Sequence, residues 1–330
     1  MSDATSDAPD DLTSRARALA VAGEWPEVVR LLGGLATGVG GTSELQLLRA
    51  EALTRVGDAR AASAWLREII PALVSRGDRA SHRRALNLLG AASFYLGRLE
   101  EASDAFAAAL EMASEEDDLL IFARATNNLG MIENLRGHHE SALGHYRLAV
   151  PTYQRLGQRR GLAESYHNIA ITYRDIGSLS EADEYERRAI DYAAEGIAPR
   201  VAAMGMIGRA EIALRRGDPQ FARGTAERAA AELERLHDPV NEADAHRLTA
   251  SAEAALGRFS DAERAFDRAL GIARTGGHAL IEAEALRDRA HAYLKQGRRA
   301  DARRDADAAM ALFARLGATK EIDALREAVG

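Results

Sequence analysis

Seven glycines at one fixed interval decide what this chain can fold into. Gly57, Gly97, Gly137, Gly177, Gly217, Gly257 and Gly297 follow one another every 40 residues, and Gly23 stands 34 residues before the first. Alanine recurs five residues after each of the seven, from Ala62 to Ala302, and twelve residues after six of them, from Ala109 to Ala309. Self-similarity at a period of about 20 to 50 residues marks stacked supersecondary units, each unable to bury its apolar face alone. Eight units are implied.

Each unit reads as a helix, a tight turn at the glycine, and a second helix folded back on the first. Glycine supplies the left-handed backbone needed just past a helix end. Seven residues before the turn lies a small residue, as in Gly90, Gly130, Ala170, Ala210, Ala250 and Ala290. Large side chains at Leu89, Leu129, Ile169, Phe106, Tyr146 and Phe266 are expected to fill the space that the small ones leave. Second helices are expected to end near Gly77, Asp117, Gly157, Gly196, Asp238, Gly277 and Gly317. Pro199, Pro219 and Pro239 fit helix starts, whereas Pro71 and Pro151 fall inside second helices and should kink them.

These positions carry a resemblance to the tetratricopeptide repeat (TPR) family: Leu129, Gly130, Gly137, Ala142, Tyr146 and Ala149, or Ala170, Tyr173, Gly177, Ala182 and Ala189. The 40-residue unit is similar to that of the Leu-Gly-Asn polarity adaptors and the bacterial peptide-sensing TPR regulators. The resemblance implies an all-α fold: an α-solenoid, wound as a right-handed superhelix, of about eight hairpins plus a C-terminal capping helix. Residues 1–11 are expected to be a disordered acidic tail, 12–42 an irregular hairpin with a glycine-rich joint, 43–317 seven regular repeats, and 318–330 the capping helix. The pattern departs where the large aliphatic becomes Arg209, Thr249 and Arg289, and where the aromatic becomes Glu186 and Ala226.

Composition restricts function further. With no cysteine, neither a disulfide framework nor a thiolate site is available. A formal charge of −7 argues against a general nucleic-acid binder. No apolar run approaches the ~18 residues that span a bilayer, and the acidic, polar N-terminus is the reverse of a secretory signal, so the cytoplasm is expected. Gly33 to Thr42 has neither phosphate-loop spacing. His138, His139, Glu140 and His145 only superficially resemble a zinc motif, because Leu143 holds the place where the second histidine belongs. No nucleophile signature appears. A non-enzymatic protein is expected, without metal or cofactor.

The informative residues lie on the first helices, which line the concave surface of TPR arrays. Arg84, Asn87, Phe94 and Tyr95, then Arg124, Asn127, Asn128, Met131 and Asn134, then His167, Asn168, Ile171 and Arg174 occupy matching positions in three successive units. Five of the six asparagines fall in this set, although asparagine is a poor helix former. Either their amides grip the backbone of an extended peptide, with the arginines favouring an acidic one, or they are family drift and pair with adjacent repeats. Arg247, Arg287, His291 and Lys295 form a second, basic candidate site, complementary to Asp3, Asp7, Asp10 and Asp11 in cis or in a homodimer. The expected function is an adaptor that holds a protein segment. The alternative is a signalling-peptide-responsive regulator of a separately encoded partner.

Overall fold

The computed structural model of the chain describes residues 9–35, 42–316 and 318–329. Among these residues every regular element is an α-helix. The chain divides into two compact units, Met1–Gly157 and Gln158–Gly330.

Unit 1 contains four hairpins: α1 (Pro9–Ala22) with α2 (Trp25–Leu32), α3 (Ser43–Arg55) with α4 (Ala59–Ser75), α5 (Arg79–Tyr95) with α6 (Leu99–Glu115), and α7 (Leu119–Leu135) with α8 (His139–Arg155). Helix α1 begins at Pro9, inside the segment expected to be a tail, because Leu12, Ala16 and Leu19 form an apolar stripe that packs on Val28, Leu32 and Leu45. The rest of that tail, residues 1–8, and most of the glycine-rich joint, residues 36–41, lie outside the described residues. Unit 2 contains α9 (Arg159–Ile176) with α10 (Leu179–Ala193), α11 (Pro199–Arg215) with α12 (Pro219–Arg235), α13 (Pro239–Ala255) with α14 (Phe259–Gly276), α15 (Ala279–Lys295) with α16 (Arg299–Leu316), and a last helix, α17 (Thr319–Val329). Leu325 of α17 is buried against Leu286 and Phe313, so the final hairpin does not present its apolar side to water.

Local chemistry sets the helix boundaries. All seven turn glycines have φ between 72° and 91°, the left-handed region that costs glycine nothing. Aspartates start many of the helices: Asp58, Asp78, Asp118, Asp218 and Asp238 each accept the amide three residues on, as Asp118 does from Ile121 at 3.2 Å. That is the short-side-chain N-cap solution to the unpaired amides of a helix start. Asp238 is therefore a cap, and the left-handed residue that ends the preceding helix is His237 (φ 52°). Asp117 (φ 54°) fills the same slot in unit 1. Both are non-glycine residues where Gly77, Gly157 and Gly277 stand elsewhere. Replacing each by glycine is expected to raise stability by about 1 kcal/mol, read as an increase in the urea midpoint; a decrease would show that the side chains contribute more than the strain costs.

Prolines 71 and 151 sit inside α4 and α8, and both helices continue through them. The carbonyls that lose a donor belong to Arg67 and Arg147, which lie with the prolines on exposed faces where water can take the donor's place.

The hairpins pack as small against large. A Cβ added to Gly90 would lie 2.6 Å from the Phe106 ring, and one added to Gly130 would lie 2.6 Å from the Tyr146 ring. Each ring is 1% exposed and wedges directly onto the opposing backbone. The departures in unit 2 are solved differently. Arg289, in an aliphatic slot, donates to Asp305 (2.6 Å) and Asp267 (2.7 Å); Arg209 donates to Asp183 (2.7 Å) and stacks 5.0 Å from the Phe221 ring. Thr249 returns its hydroxyl to the Ala245 carbonyl (3.0 Å), and Ala226 joins Ala229, Ala230 and Leu233 in a small-residue contact. Charge pairing and close approach replace aliphatic bulk.

Candidate functional site

Within unit 1 the backbones of α3 and α5, and of α5 and α7, come close, whereas those of α4, α6 and α8 do not: α4 reaches α6 through a pair of long side chains, Arg67 and Glu101. First helices are therefore closer together than second helices, which makes theirs the inner face. Unit 2 follows the same rule, with α9, α11, α13 and α15 in sequence along that face.

The 3.6-residue period turns only some of the expected residues outward. Arg84, Arg124, Tyr95 and Leu135 are exposed, the last two at 69% and 60%, and Leu88, Ala91, Phe94, Asn128 and Met131 are half-buried beside them. Neither Arg84 nor Arg124 is in an ion pair among the described residues. Arg84 lies near enough to Glu44 to add to the pull of Arg17, whose hydrogen bond is the main cause holding the Glu44 carboxyl below its usual range. Tyr95 meets Phe94 edge-on at 5.9 Å, so the apolar ledge has a fixed aromatic corner.

The asparagine ladder is corrected by burial. Asn87, Asn127 and Asn134 are all buried, at 9% exposure or less. Asn134 hydrogen-bonds His139 across the hairpin turn (2.9 Å), a structural tie between α7 and α8. Asn87 is buried with its Oδ1 unpartnered. Of the five, Asn128 and Asn168 remain half-exposed. The positions i+3 from each outward arginine point into the packing between helices, which a spacing argument that accepted i, i+3 and i+4 together could not separate.

In unit 2 the expected cations are already paired. Arg174 donates to Glu211 (2.9 Å), one repeat further on, and His167 is buried with its Nδ1 2.9 Å from Glu186 Oε2. Ile171 is half-buried on the same helix.

The second candidate site is likewise not a free basic surface. Arg247 is 8% exposed and donates to Asp244 (2.8 Å) and Asp288 (2.6 Å), with Glu284 at 3.8 Å. Arg287 donates to Asp288 (2.9 Å) and to Glu321 of α17 (3.0 Å). Two guanidiniums thus face four carboxylates, and the cluster is acidic on balance. Burial opposes charge on Arg247, but the surrounding carboxylates outweigh it and hold the guanidinium firmly protonated. Burial pushes Asp288 up and the two arginines overcome it, leaving its pKa below normal; at Glu284 burial wins and the pKa is raised. His291 and Lys295 alone stay exposed. The sequence signal was available: Arg174 and Glu211, like Arg247 and Glu284, stand 37 residues apart, one repeat less three.

Among the described residues no group of three or more His, Asp or Glu could hold a metal ion, and no helix is long and apolar enough to cross a membrane.

Hairpins joined at left-handed glycines, small-on-aromatic wedges and an inner face of first helices define a tetratricopeptide-type repeat protein. Residues 88–315 match the MalT-like TPR region, and the chain belongs to that family. No curated protein matches it. Among solved structures, a Rap protein complexed with competence and sporulation factor is 15% identical, with 96% of this chain and 95% of that one covered and a TM-score of 0.65. The apo quorum sensor NprR from B. thuringiensis is 14% identical, with 96% of each chain covered and a TM-score of 0.62. Cut9, from the Cut9–Hcn1 hetero-tetramer of the APC/C, gives a TM-score of 0.69 at 15% identity, over 98% of this chain and 57% of that one. At these identities the likeness shows the fold.

Proposed function

We propose that the chain is a binding protein whose inner face in unit 1 takes an extended, acidic protein segment across α5 and α7. The observation that carries this reading is the row of side chains on those helices: exposed Arg84 and Arg124, outside any ion pair among the described residues, with exposed Tyr95 and Leu135 and half-buried Met131 at the other end of the same face. Unit 2 spends the corresponding charges on itself. Packed helices lie about 8–10 Å apart and an extended chain advances about 3.3 Å per residue. Carboxylates about three residues apart would therefore meet the two arginines in turn, with apolar side chains falling on the ledge. Amide hydrogen bonds net only ~1 kcal/mol each, whereas bonds to charged groups contribute ~1.5–3 kcal/mol, so the arginines and the apolar contacts supply most of the affinity.

The solved Rap complex with competence and sporulation factor, and that of NprR with its cognate peptide NprX, support a second form of this reading. In it the bound peptide changes the action of a separately encoded partner. A fall in radius of gyration on peptide binding is expected of such a regulator, and none of a passive adaptor.

Calorimetry with a twelve-residue probe carrying aspartate at every third position and leucine between tests the site. We expect Arg84→Glu/Arg124→Glu to weaken binding at least 100-fold, about 2.7 kcal/mol, and an asparagine-for-aspartate probe to bind wild type as weakly. Equal binding by wild type and the double variant would overturn the assignment.

A further inference from the structure

The slot that Glu186 occupies in α10 is filled by an apolar side chain in the other 40-residue units: a ring at Phe106, Tyr146 and Phe266, Leu66 in α4, and alanine at Ala226 and Ala306. Here it is a carboxylic acid, and it is 1% exposed. One oxygen, Oε2, lies 2.9 Å from His167 Nδ1 on α9. The carboxyl also covers α11, where two helical glycines make room for it. A Cβ on Gly205 would fall 2.9 Å from Ile190 Cγ1 and 3.2 Å from Glu186 Oε2, and one on Gly208 would collide with Oε1. Two glycines inside a helix weaken it, and here they form a recess shaped to a carboxyl group. The connection that follows is also irregular. Helix α10 stops at Ala193, and Glu195 (φ 61°) and Gly196 (φ 78°) are left-handed in succession, the only such pair among the described residues.

The other charged groups around the recess neutralise one another. From α9, Arg174 pairs with Glu211 of α11 (2.9 Å); from α10, Asp183 pairs with Arg209 of α11 (2.7 Å). That leaves the Glu186 carboxyl, almost fully buried and held by His167, as the titratable group of the recess. Burial pushes the Glu186 carboxyl above the usual carboxylate range, against the opposing pull of His167 and Arg174.

We propose that Glu186, held by His167, is a proton-operated joint: while its carboxyl keeps its proton it locks α11 onto α9 and α10, and losing that proton strands a carboxylate in the glycine recess and loosens α11. The sign follows from linkage. A group whose pKa is higher folded than unfolded binds more protons in the folded state, so its stabilisation is complete below the ordinary carboxylate value and is lost as pH rises through the folded value. A ring in the same slot has no such dependence.

Hydrogen exchange on the full chain reads this directly. Opening constants of α11 amides, corrected for intrinsic exchange, are compared with those of α14 between pH 5 and pH 8.5. In wild type the α11 constants are expected to rise at least tenfold more than those of α14. In Glu186→Gln, which keeps the shape and the hydrogen bond to His167 without the titration, the excess should vanish. Parallel behaviour of α11 and α14 in wild type overturns the proposal, and so does the same excess in the glutamine variant. The wild-type comparison stands alone should the variant fail to fold.

Discussion

Replacing Arg247 by methionine should destabilise unit 2 by about 3–5 kcal/mol at neutral pH, the usual cost of removing one partner from a buried ion pair. Methionine fills much of the volume, so the loss would not come from a cavity. It would come from Asp244 and Asp288, whose carboxylates accept from Arg247 at 2.8 and 2.6 Å and would be left with fewer donors in a desolvated site. Asp288 keeps Arg287 as a second partner, which places the expected value towards the lower end of that range. The acid limb gives an independent check. Asp288 has a depressed pKa in the fold, so its contribution is present above the ordinary aspartate value and is lost as pH falls through the folded value. The gap between wild type and Arg247→Met, measured by urea unfolding, should therefore narrow below about pH 4. A gap under 1 kcal/mol at pH 7 would mean that the cluster is tolerated rather than stabilising.

The second large effect is expected at the wedge in the fourth hairpin. Tyr146→Ala should cost about 3–5 kcal/mol, since it empties a fully buried ring site. Gly130→Ala should cost about 1–3 kcal/mol by overpacking, because its Cβ would lie 2.6 Å from the tyrosine ring. The two losses should not add. With the ring gone, the new methyl has room, and the double variant should be no less stable than Tyr146→Ala alone. A cycle in which the losses sum would show that Gly130 is there for its backbone and not for the ring. Ala170 provides the internal comparison: its hairpin carries Glu186 instead of a ring, and the slot opposite holds a buried alanine in place of glycine.

Much of this fold was legible because its chemistry repeats. The glycine interval predicted every first-helix turn, since only a left-handed residue closes that turn and glycine is the cheapest supplier. The tail boundary was missed because the stripe of Leu12, Ala16 and Leu19 meets its partners only in three dimensions. His237 escaped because the strained slot happens to hold a residue that does not announce itself. On the inner face, the outward position of Arg84 and Arg124 was readable from helical spacing, whereas the burial of Asn87, Asn127 and Asn134 was not. A single residue step, about 100° of helix, separates a residue that faces solvent from one that faces the neighbouring helix, and Asn127 and Asn128 fall on opposite sides of that division. The basic end is neutralised for a related reason: besides Asp244 and Asp288 close by in sequence, carboxylates on neighbouring elements 34 to 41 residues away reach Arg247 and Arg287.

Those one-repeat-apart pairs have a consequence for how such a chain can change over time. Arg174 needs Glu211 in the hairpin that follows it, and Arg247 needs Glu284 and Asp288 in the next but one after that. Were the hairpins of α11/α12 and α13/α14 exchanged, Arg174 would face Ser251, and Arg247 would face Met204 and Gly208. The backbones of these two hairpins are indifferent to such a shuffle, since their helices are of nearly equal length and both close on a left-handed glycine. Their seams are not: Arg174 and Arg247 are each keyed to one successor, so these hairpins can be read in a single order.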